Sequence, residues 1–292
     1  MTHLKGDKIA PRALEWLTSA TKPRIHSLYR QSINLINAER SLLSVVLPEV
    51  GPGPFAIVVA KPDPSFEGFD ALDLEGSVTI KGRRIAIGPI QVDATSAEEW
   101  QPRPDWRRFG GGLDRVAQAN LTELLREHAP PGSFAPLVSG ALPELDQTIQ
   151  SKALHAAASP AELFLSSLAA GDRDGAGEAA TGLAGLGGGV TPSGDDYLQG
   201  AIHAIWAKLS TELARPMGEA IASEAAPRTN VVSGEWLRAA ARGEAGVDWH
   251  LLAQAIAANQ QVERTMIQLL HRGHTSGADA MAGFLATLSA ID

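Results

Sequence analysis

The sequence predicts an α+β protein in which a β-rich N-terminal domain, a small barrel or sandwich, precedes a mainly α-helical domain. Short apolar runs of strand length, punctuated by Gly and Pro, occupy about residues 40 to 100. Ala- and Leu-rich segments with helical spacing follow the stretch "WQPRPDWRRFGGGLDR" at 100–115. This change of composition predicts one domain over residues 1–108 and a second over 109–292.

The first domain begins with a short helical segment and continues as strands. The runs "SLLSVVLPEV", "GPGPFAIVVA" and "GSVTIKGRRIAIGPIQV" have the length and β-branched content of strands. Alternation in "TIKGRRIAI" predicts a hairpin that turns near Lys81 and Gly82.

The second domain contains three clear helical patterns, "AELFLSSLAA", "YLQGAIHAIWAKLSTELA" and "LLAQAIAANQQVERTMIQLLHR". Trp206 and Trp236 lie on helical segments, where we expect core or interface residues rather than cofactor ligands. Arg103, Arg107, Arg108 and Arg115 form a local basic cluster that we interpret as a solvated loop.

Composition excludes several functional classes. The 292 residues carry a formal charge of −8, which argues against a nucleic-acid surface. The absence of cysteine excludes disulfides, thiolate zinc sites and a cysteine nucleophile. No run has the length and apolar character of a membrane span or a signal peptide, so we expect a cytoplasmic protein that binds neither nucleic acid nor membranes.

One glycine-rich motif occurs twice, as "GLGGGVTPSGDDYLQG" at 185–200 and as "RGHTSGADAMAG" at 272–283. With Pro192 treated as an insertion, the equivalent pairs are Gly189 and Gly273, Thr191 and Thr275, Ser193 and Ser276, Gly194 and Gly277, Asp196 and Asp279, and Gly200 and Gly283. Each copy lies between two apolar helical segments. We therefore expect both loops to open a helix and to converge on one pocket.

Two interpretations of the repeat remain open. Ser193 with Asp196, and Ser276 with Asp279, have the spacing of a capping box, so the pattern could serve only to start a helix. Capping does not explain the glycines at 187–189, nor Gly194 and Gly277, because glycine in a first turn loses backbone entropy. Those glycines predict that another group closely approaches the backbone.

The polar groups of the loops suit a small ligand. Free N–H groups and the hydroxyls of Thr191, Ser193, Thr275 and Ser276 would bind oxygens. Asp195 and Asp196 oppose a bare anion unless a divalent cation such as Mg²⁺ bridges them, or unless they accept hydrogen bonds from an amide or ureido N–H. The sequence therefore leaves open whether a divalent cation takes part in binding.

A third segment, "RTNVVSGEWLRAAARGE" at 228–244, offers Thr229, Asn230 and Ser233 ahead of an apolar helix. Ser233 could be its cap, or the three side chains could join the same pocket. His271, before Gly273, is typical of a helix C-terminus, whereas His274 lies inside the repeated loop, where an imidazole could bind a ligand or transfer a proton.

Together, these segments and the early "GPGPFAIVV" resemble the bacterial AllH family, which includes a subunit of oxamate carbamoyltransferase. The resemblance spans both halves of the chain, and "TPSGDD" is its most specific part. One departure is Gly188, where the family form has Pro.

The resemblance implies a role in purine or allantoin catabolism, within a multi-subunit enzyme with FdrA-like and AllG-like partners. That enzyme moves a carbamoyl group between the amide nitrogen of oxamate and phosphate. Two alternatives stay open: a noncatalytic regulatory or scaffold subunit, and a Mg²⁺-dependent phosphoryl-transfer or hydrolytic enzyme that uses the paired Asp.

The site prediction follows from the two loops and the third segment. Candidate catalytic residues are Asp195, Asp196 and His274, and candidate ligand-binding residues are Gly188, Gly189, Thr191, Ser193, Gly194, Thr229, Asn230, Ser233, Thr275, Ser276, Gly277 and Asp279. Because neighbouring helical residues point about 100° apart, Asp195 and Asp196 should have different roles. Trp100 and Trp106 in the junction are expected to be exposed or to seal a seam.

Overall fold

The computed structural model describes residues 2–62, 66, 68–70 and 72–291. The chain forms two compact units, which divide between Pro102 and Arg103. The predicted boundary between residues 108 and 109 would fall within a short helix, Trp106–Gly111, and Trp106 and Phe109 of this helix are buried in the core of the second unit.

The first unit is a β-rich domain, which confirms the predicted fold class. Its elements, over the described residues, are β1 (Thr2–Ile9), α1 (Pro11–Ser19), β2 (Arg24–Tyr29), β3 (Ser32–Ile36), β4 (Leu42–Val46), β5 (Ala56–Val59), β6 (Val78–Lys81), β7 (Arg84–Ile87), β8 (Ile90–Asp93) and β9 (Glu98–Glu99). The predicted helical segment is α1, and the strand β1 precedes it.

The strands form a nearly closed, barrel-like sheet in the order β2-β3-β4-β5-β1-β8-β7-β6, with β9 paired to β1. The central strand β1 pairs antiparallel with β5 and parallel with β8. The predicted hairpin is confirmed, since β6 and β7 pair antiparallel and Gly82 adopts a φ of +61° at the turn. The core includes Leu35, Leu43 and Ile57, each fully buried.

The second unit is helical. Its elements are α2 (Trp106–Gly111), α3 (Arg115–His128), α4 (Pro136–Ser139), α5 (Ile149–Ala169), α6 (Arg173–Ala180), α7 (Ser193–Lys208), α8 (Thr211–Ala225), a 3₁₀ turn (Ala226–Arg228), α9 (Val231–Ala241), α10 (Val247–Ala258), α11 (Val262–Leu270) and α12 (Ser276–Ile291). No helix in the described part of the chain is both long and apolar enough to cross a membrane.

Helices α7 and α12 pack tightly against each other at the centre of this unit. A Cβ atom on Gly200 would lie 1.6 Å from the carbonyl oxygen of Ala280, and a Cβ atom on Gly283 would lie 1.9 Å from the carbonyl oxygen of Tyr197. Gly200 and Gly283 are equivalent in the sequence repeat, as are Tyr197 and Ala280. The reciprocal contacts therefore give the pair of helices an approximate two-fold relation.

In the segment between the two predicted domains, the burial of Trp106 and the helical position of Arg107 and Arg108 differ from the sequence interpretation. Trp106 is buried, and its indole N–H donates to the carbonyl of Gly243 over 2.7 Å, so the prediction of an exposed side chain is wrong for this residue. Trp106 lies against Phe109, His203 and Trp249 because the short helix α2 turns its apolar face into the core. Arg107 and Arg108 lie on this helix, rather than in a loop, and are exposed.

Candidate functional site

The two glycine-rich loops converge, as the sequence repeat predicts. The hydroxyl oxygens of Thr191, in the first loop, and Ser276, at the start of α12, lie 2.8 Å apart and share a hydrogen bond. The first turns of α7 and α12 therefore begin side by side. We call the loop residues 185–192 and 272–275, together with the first turns of these two helices, the loop junction.

Two glycines at the helix starts are explained by the fold of the chain itself. A Cβ atom on Gly194 would lie 2.0 Å from the carbonyl oxygen of Leu183, and one on Gly277 would lie 1.8 Å from that of Leu269. The backbone does approach closely, as predicted, but the approaching group at both positions is the chain's own preceding segment. These two glycines therefore give no support to a bound ligand.

The capping-box interpretation is wrong. Helix α7 begins at Ser193, and Pro192 occupies the N-cap position with no side-chain cap. Ser193 and Ser276 are the first residues of their helices rather than caps, so their hydroxyls are available to the junction. In the third segment the cap is Asn230, whose side chain accepts from the N–H of Ser233, and Ser233 itself lies inside α9.

The glycine-rich loop owes its path to positive φ angles. Gly185, Gly187 and Gly189 have φ values of +75°, +109° and +96°, which side-chain-bearing residues rarely adopt. Gly188 has no such angle, and a Cβ atom there would meet only Ile149 at 3.7 Å, so neither its backbone angle nor its surroundings require glycine. Gly188, Gly189 and Val190 are exposed.

Asp195 connects the first loop to the third segment. Its Oδ1 accepts from the N–H of Gly185 over 2.8 Å, and its Oδ2 accepts a short hydrogen bond from the hydroxyl of Thr229. The amide of Asn230 donates to the carbonyl of Val190 over 2.9 Å. Burial raises the pKa of Asp195, and the hydrogen bonds from Thr229 and Gly185 counteract that shift. Asp195 therefore fixes the loop.

Asp196 has different surroundings, as the helical spacing predicts. It is 6% exposed, it lies near Asp279, and the hydroxyls of Ser276 and Thr191 favour its ionised form. Asp279 is fully buried, and its Oδ1 accepts from the N–H of Phe134 over 2.6 Å. The hydroxyls of Thr275 and Ser193 favour its ionised form.

The two carboxyl groups are incompletely paired. Asp196 and Asp279 each have a buried Oδ2 atom with no hydrogen-bond partner among the described residues. Burial raises the pKa of Asp279 to about 6, and burial together with the negative charge of Asp279 raises the pKa of Asp196 well above its usual value. An unpaired buried oxygen destabilises the folded state, and carboxyl groups with strongly raised pKa values cluster at functional sites, so this pair is a candidate site.

Some candidate residues lie at the edge of the junction. His274 is exposed and Thr275 half-buried, whereas the hydroxyl of Ser233 is buried without a hydrogen-bond partner. No local sequence pattern predicts the contact with the N–H of Phe134, because this residue is far from Asp279 along the chain. A separate surface cavity of about 550 Å³, which includes Asp174, Glu178, Glu224 and Arg228, contains none of the candidate residues.

A magnesium site built on adjacent acids does not fit this geometry. Both oxygens of Asp195 already accept hydrogen bonds from the protein, and Asp196 faces a different set of groups. Among the described residues, no group of three or more His, Asp or Glu side chains is placed to hold a metal ion. The acids that meet are Asp196 and Asp279.

Comparison with known families finds one matching family model in each compact unit of the chain. Residues 4–99 match the AllH family N-terminal domain, and residues 183–288 match the family described as oxamate carbamoyltransferase subunit AllH. The chain belongs to the AllH family. The second match contains both glycine-rich loops, α7, α9 and most of α12, so the loop junction lies wholly within it. No curated protein and no solved structure matches the chain significantly.

Proposed function

We propose that this AllH-family chain is a subunit of an oxamate carbamoyltransferase-like enzyme and that its loop junction binds the carbamoyl or ureido group of the ligand. The observation that supports the proposal most is the meeting of two equivalent helix starts, with Thr191 hydrogen-bonded to Ser276 and with Asp196 near Asp279. The family description supplies the reaction class.

A carbamoyl group has a carbonyl oxygen that accepts hydrogen bonds and an NH₂ group that donates them. The hydroxyls of Thr191 and Ser276 and the positive ends of two helix dipoles suit the oxygen. The carboxyl oxygens of Asp196 and Asp279 suit the NH₂ group. One small group would thus satisfy both kinds of partner.

Access to the junction requires the glycine-rich loop to move. Asp196 and Asp279 are buried, whereas Gly188, Gly189 and Val190 next to Thr191 are exposed. A Cβ atom on Gly189 would meet nothing within 4 Å, so this part of the loop has open space beside it. We propose that displacement of residues 188–190 admits the ligand.

A scaffold subunit is the second candidate, and it accounts for part of the structure. Close helix packing explains Gly194, Gly200, Gly277 and Gly283 without any ligand. It does not explain two buried carboxyl oxygens without partners, because a purely structural helix interface would be more stable with apolar groups of the same shape. This difference favours a binding site.

The experiment is a carbamoyl-transfer assay of the chain together with FdrA-like and AllG-like subunits. We expect Thr191→Val and Ser276→Ala each to lower turnover by about 10- to 100-fold, since each removes a hydroxyl donor. Ser223→Ala is the matched control, because its hydroxyl bonds only to the carbonyl of Ala220 away from the junction. Full turnover in both junction variants would contradict the proposed site.

A further inference from the structure

Asp196 and Asp279 occupy equivalent positions at the first turns of the two helices that cross at the centre of the second unit. The reciprocal contacts of Gly200 with Ala280, and of Gly283 with Tyr197, hold these helices at backbone contact distance. Each carboxyl group interacts with the serine of the opposite helix, Asp196 with Ser276 and Asp279 with Ser193. Both side chains are therefore directed into the loop junction.

The pair carries no compensating positive charge. Neither acid forms an ion pair with a described residue, and the charged groups that act on them are only carboxyl groups: Asp279 and Asp195 act on Asp196. The other groups that face them are the N–H of Phe134 and the hydroxyls of Thr191, Ser193, Thr275 and Ser276. Two buried negative charges that act on each other without a cation are strongly unfavourable.

We infer that Asp196 and Asp279 hold one proton between them in the empty site, and that this proton makes the site select a primary amide over a carboxylate. The inference rests on the proposed function and assigns the carbamoyl end of the ligand to the acid pair. The two unpartnered Oδ2 atoms, each more than nine-tenths buried, are the observation that points to a ligand.

The selection follows from hydrogen-bond chemistry. The protonated carboxyl donates its O–H to the carbonyl oxygen of the amide, and the ionised carboxylate accepts an N–H from the NH₂ group. A carboxylate ligand has no N–H to donate, and it brings a further negative charge to the pair. The raised pKa of both acids, caused mainly by burial, agrees with a proton that the pair retains.

The first test follows the carboxyl carbons of the full chain, labelled with ¹³C at aspartate, through a pH titration. We expect two coupled transitions, one near pH 6 and one at a clearly different pH, both above the range of exposed aspartates. In Asp279→Asn the transition of Asp196 should move to lower pH, because the neighbouring charge is gone, and Asp196→Asn should identify the resonance. Asp174→Asn, an exposed control, should move neither. If both acids are ionised well below pH 6 in the native chain, the inference is wrong.

The second test compares oxamate with oxalate, which differ only in an amide against a carboxylate, as ligands of the reconstituted enzyme at pH 7. We expect at least a tenfold preference for oxamate, equal to about 1.4 kcal/mol, and a smaller preference in Asp279→Asn. Equal binding, or a preference for oxalate, would overturn the selectivity. If neither ligand binds, the proposed function fails, and the titration alone still decides whether the proton is shared.

Discussion

At the scale of single residues, two neighbouring acids show how burial and partners separate a structural role from a chemical one. Asp195 uses both oxygens to hold Gly185 and Thr229, whereas Asp196 keeps an oxygen without a partner. Their side chains point about 100° apart around α7, so they meet different neighbours. Asp195 therefore positions the loop, and we propose that Asp196 contacts the ligand.

Removal of Asp195 should destabilise the chain. Asp195→Ala leaves the N–H of Gly185 and the hydroxyl of Thr229 without their acceptor, and we expect a loss of about 2 kcal/mol in the free energy of unfolding. Asp195→Asn should lose less, because its amide oxygen still accepts from Gly185. Urea unfolding measures both, with exposed Asp174→Ala as control. If Asp195→Ala and the native chain have the same free energy of unfolding, the proposed structural role of Asp195 is wrong.

Neutralising Asp279 should stabilise the folded chain at neutral pH. The pKa of Asp279 is raised from 3.8 to about 6, so the native state binds this proton more tightly than the unfolded state does. Stability is therefore greatest below pH 3.8 as far as this group is concerned, and it falls by about 3 kcal/mol as the pH rises to 6. Asp279→Asn avoids that loss and retains an acceptor for the N–H of Phe134.

Urea unfolding at pH 4, 5.5 and 7 tests this prediction. The advantage of Asp279→Asn over the native chain should grow from pH 4 to pH 7. A constant difference across this range would show that Asp279 titrates as it does in the unfolded chain.

At the scale of secondary-structure elements, the crossing of α7 and α12 depends on two glycines. Gly200→Ala and Gly283→Ala would each place a methyl group within 2 Å of a backbone carbonyl oxygen, of Ala280 and Tyr197 respectively, and would force the helices apart. We expect a loss of about 3 kcal/mol for each. Gly111→Ala is the control, because a Cβ atom in this helical position meets nothing within 4 Å. If Gly200→Ala and Gly283→Ala have the same free energy of unfolding as Gly111→Ala, the close packing of α7 against α12 is wrong.

The sequence predicted these elements well where local pattern decides them. Alternation placed the hairpin at Gly82, and the repeated motif placed two loops together. Prediction from the sequence failed where tertiary contacts determine the local structure. The spacing of Ser193 and Asp196 resembles a capping box, but Pro192 occupies the N-cap position and Ser193 is the first residue of the helix. The hydrogen bond between Phe134 and Asp279 joins distant parts of the chain, and no local pattern encodes it.

At the scale of the whole molecule, the two compact units correspond to the two family matches. Residues 4–99 lie within the first unit and residues 183–288 within the second. Each unit has its own buried apolar core. The loop junction, with its acids, hydroxyls and helix starts, is built from residues of the second unit.

The charge balance of the junction predicts that the chain needs partner subunits for turnover. Transfer of a carbamoyl group to or from phosphate requires a site for an anion of about two negative charges. Arg272 of the junction forms an ion pair with Asp248, and no described cation acts on the acid pair. A positively charged phosphate site is therefore expected on another subunit, in agreement with a family described as an enzyme subunit.

We expect the isolated chain to show no carbamoyl transfer, and we expect activity to appear when FdrA-like and AllG-like subunits are added. Turnover should rise with partner concentration until the complex is saturated, because phosphate and the carbamoyl group are then held in one site. Size-exclusion chromatography at micromolar concentration measures the association, and Gly111→Ala should assemble and turn over normally. An isolated chain that transfers the carbamoyl group at a rate unchanged by either partner, and binds neither, would be a self-sufficient enzyme with its own phosphate site.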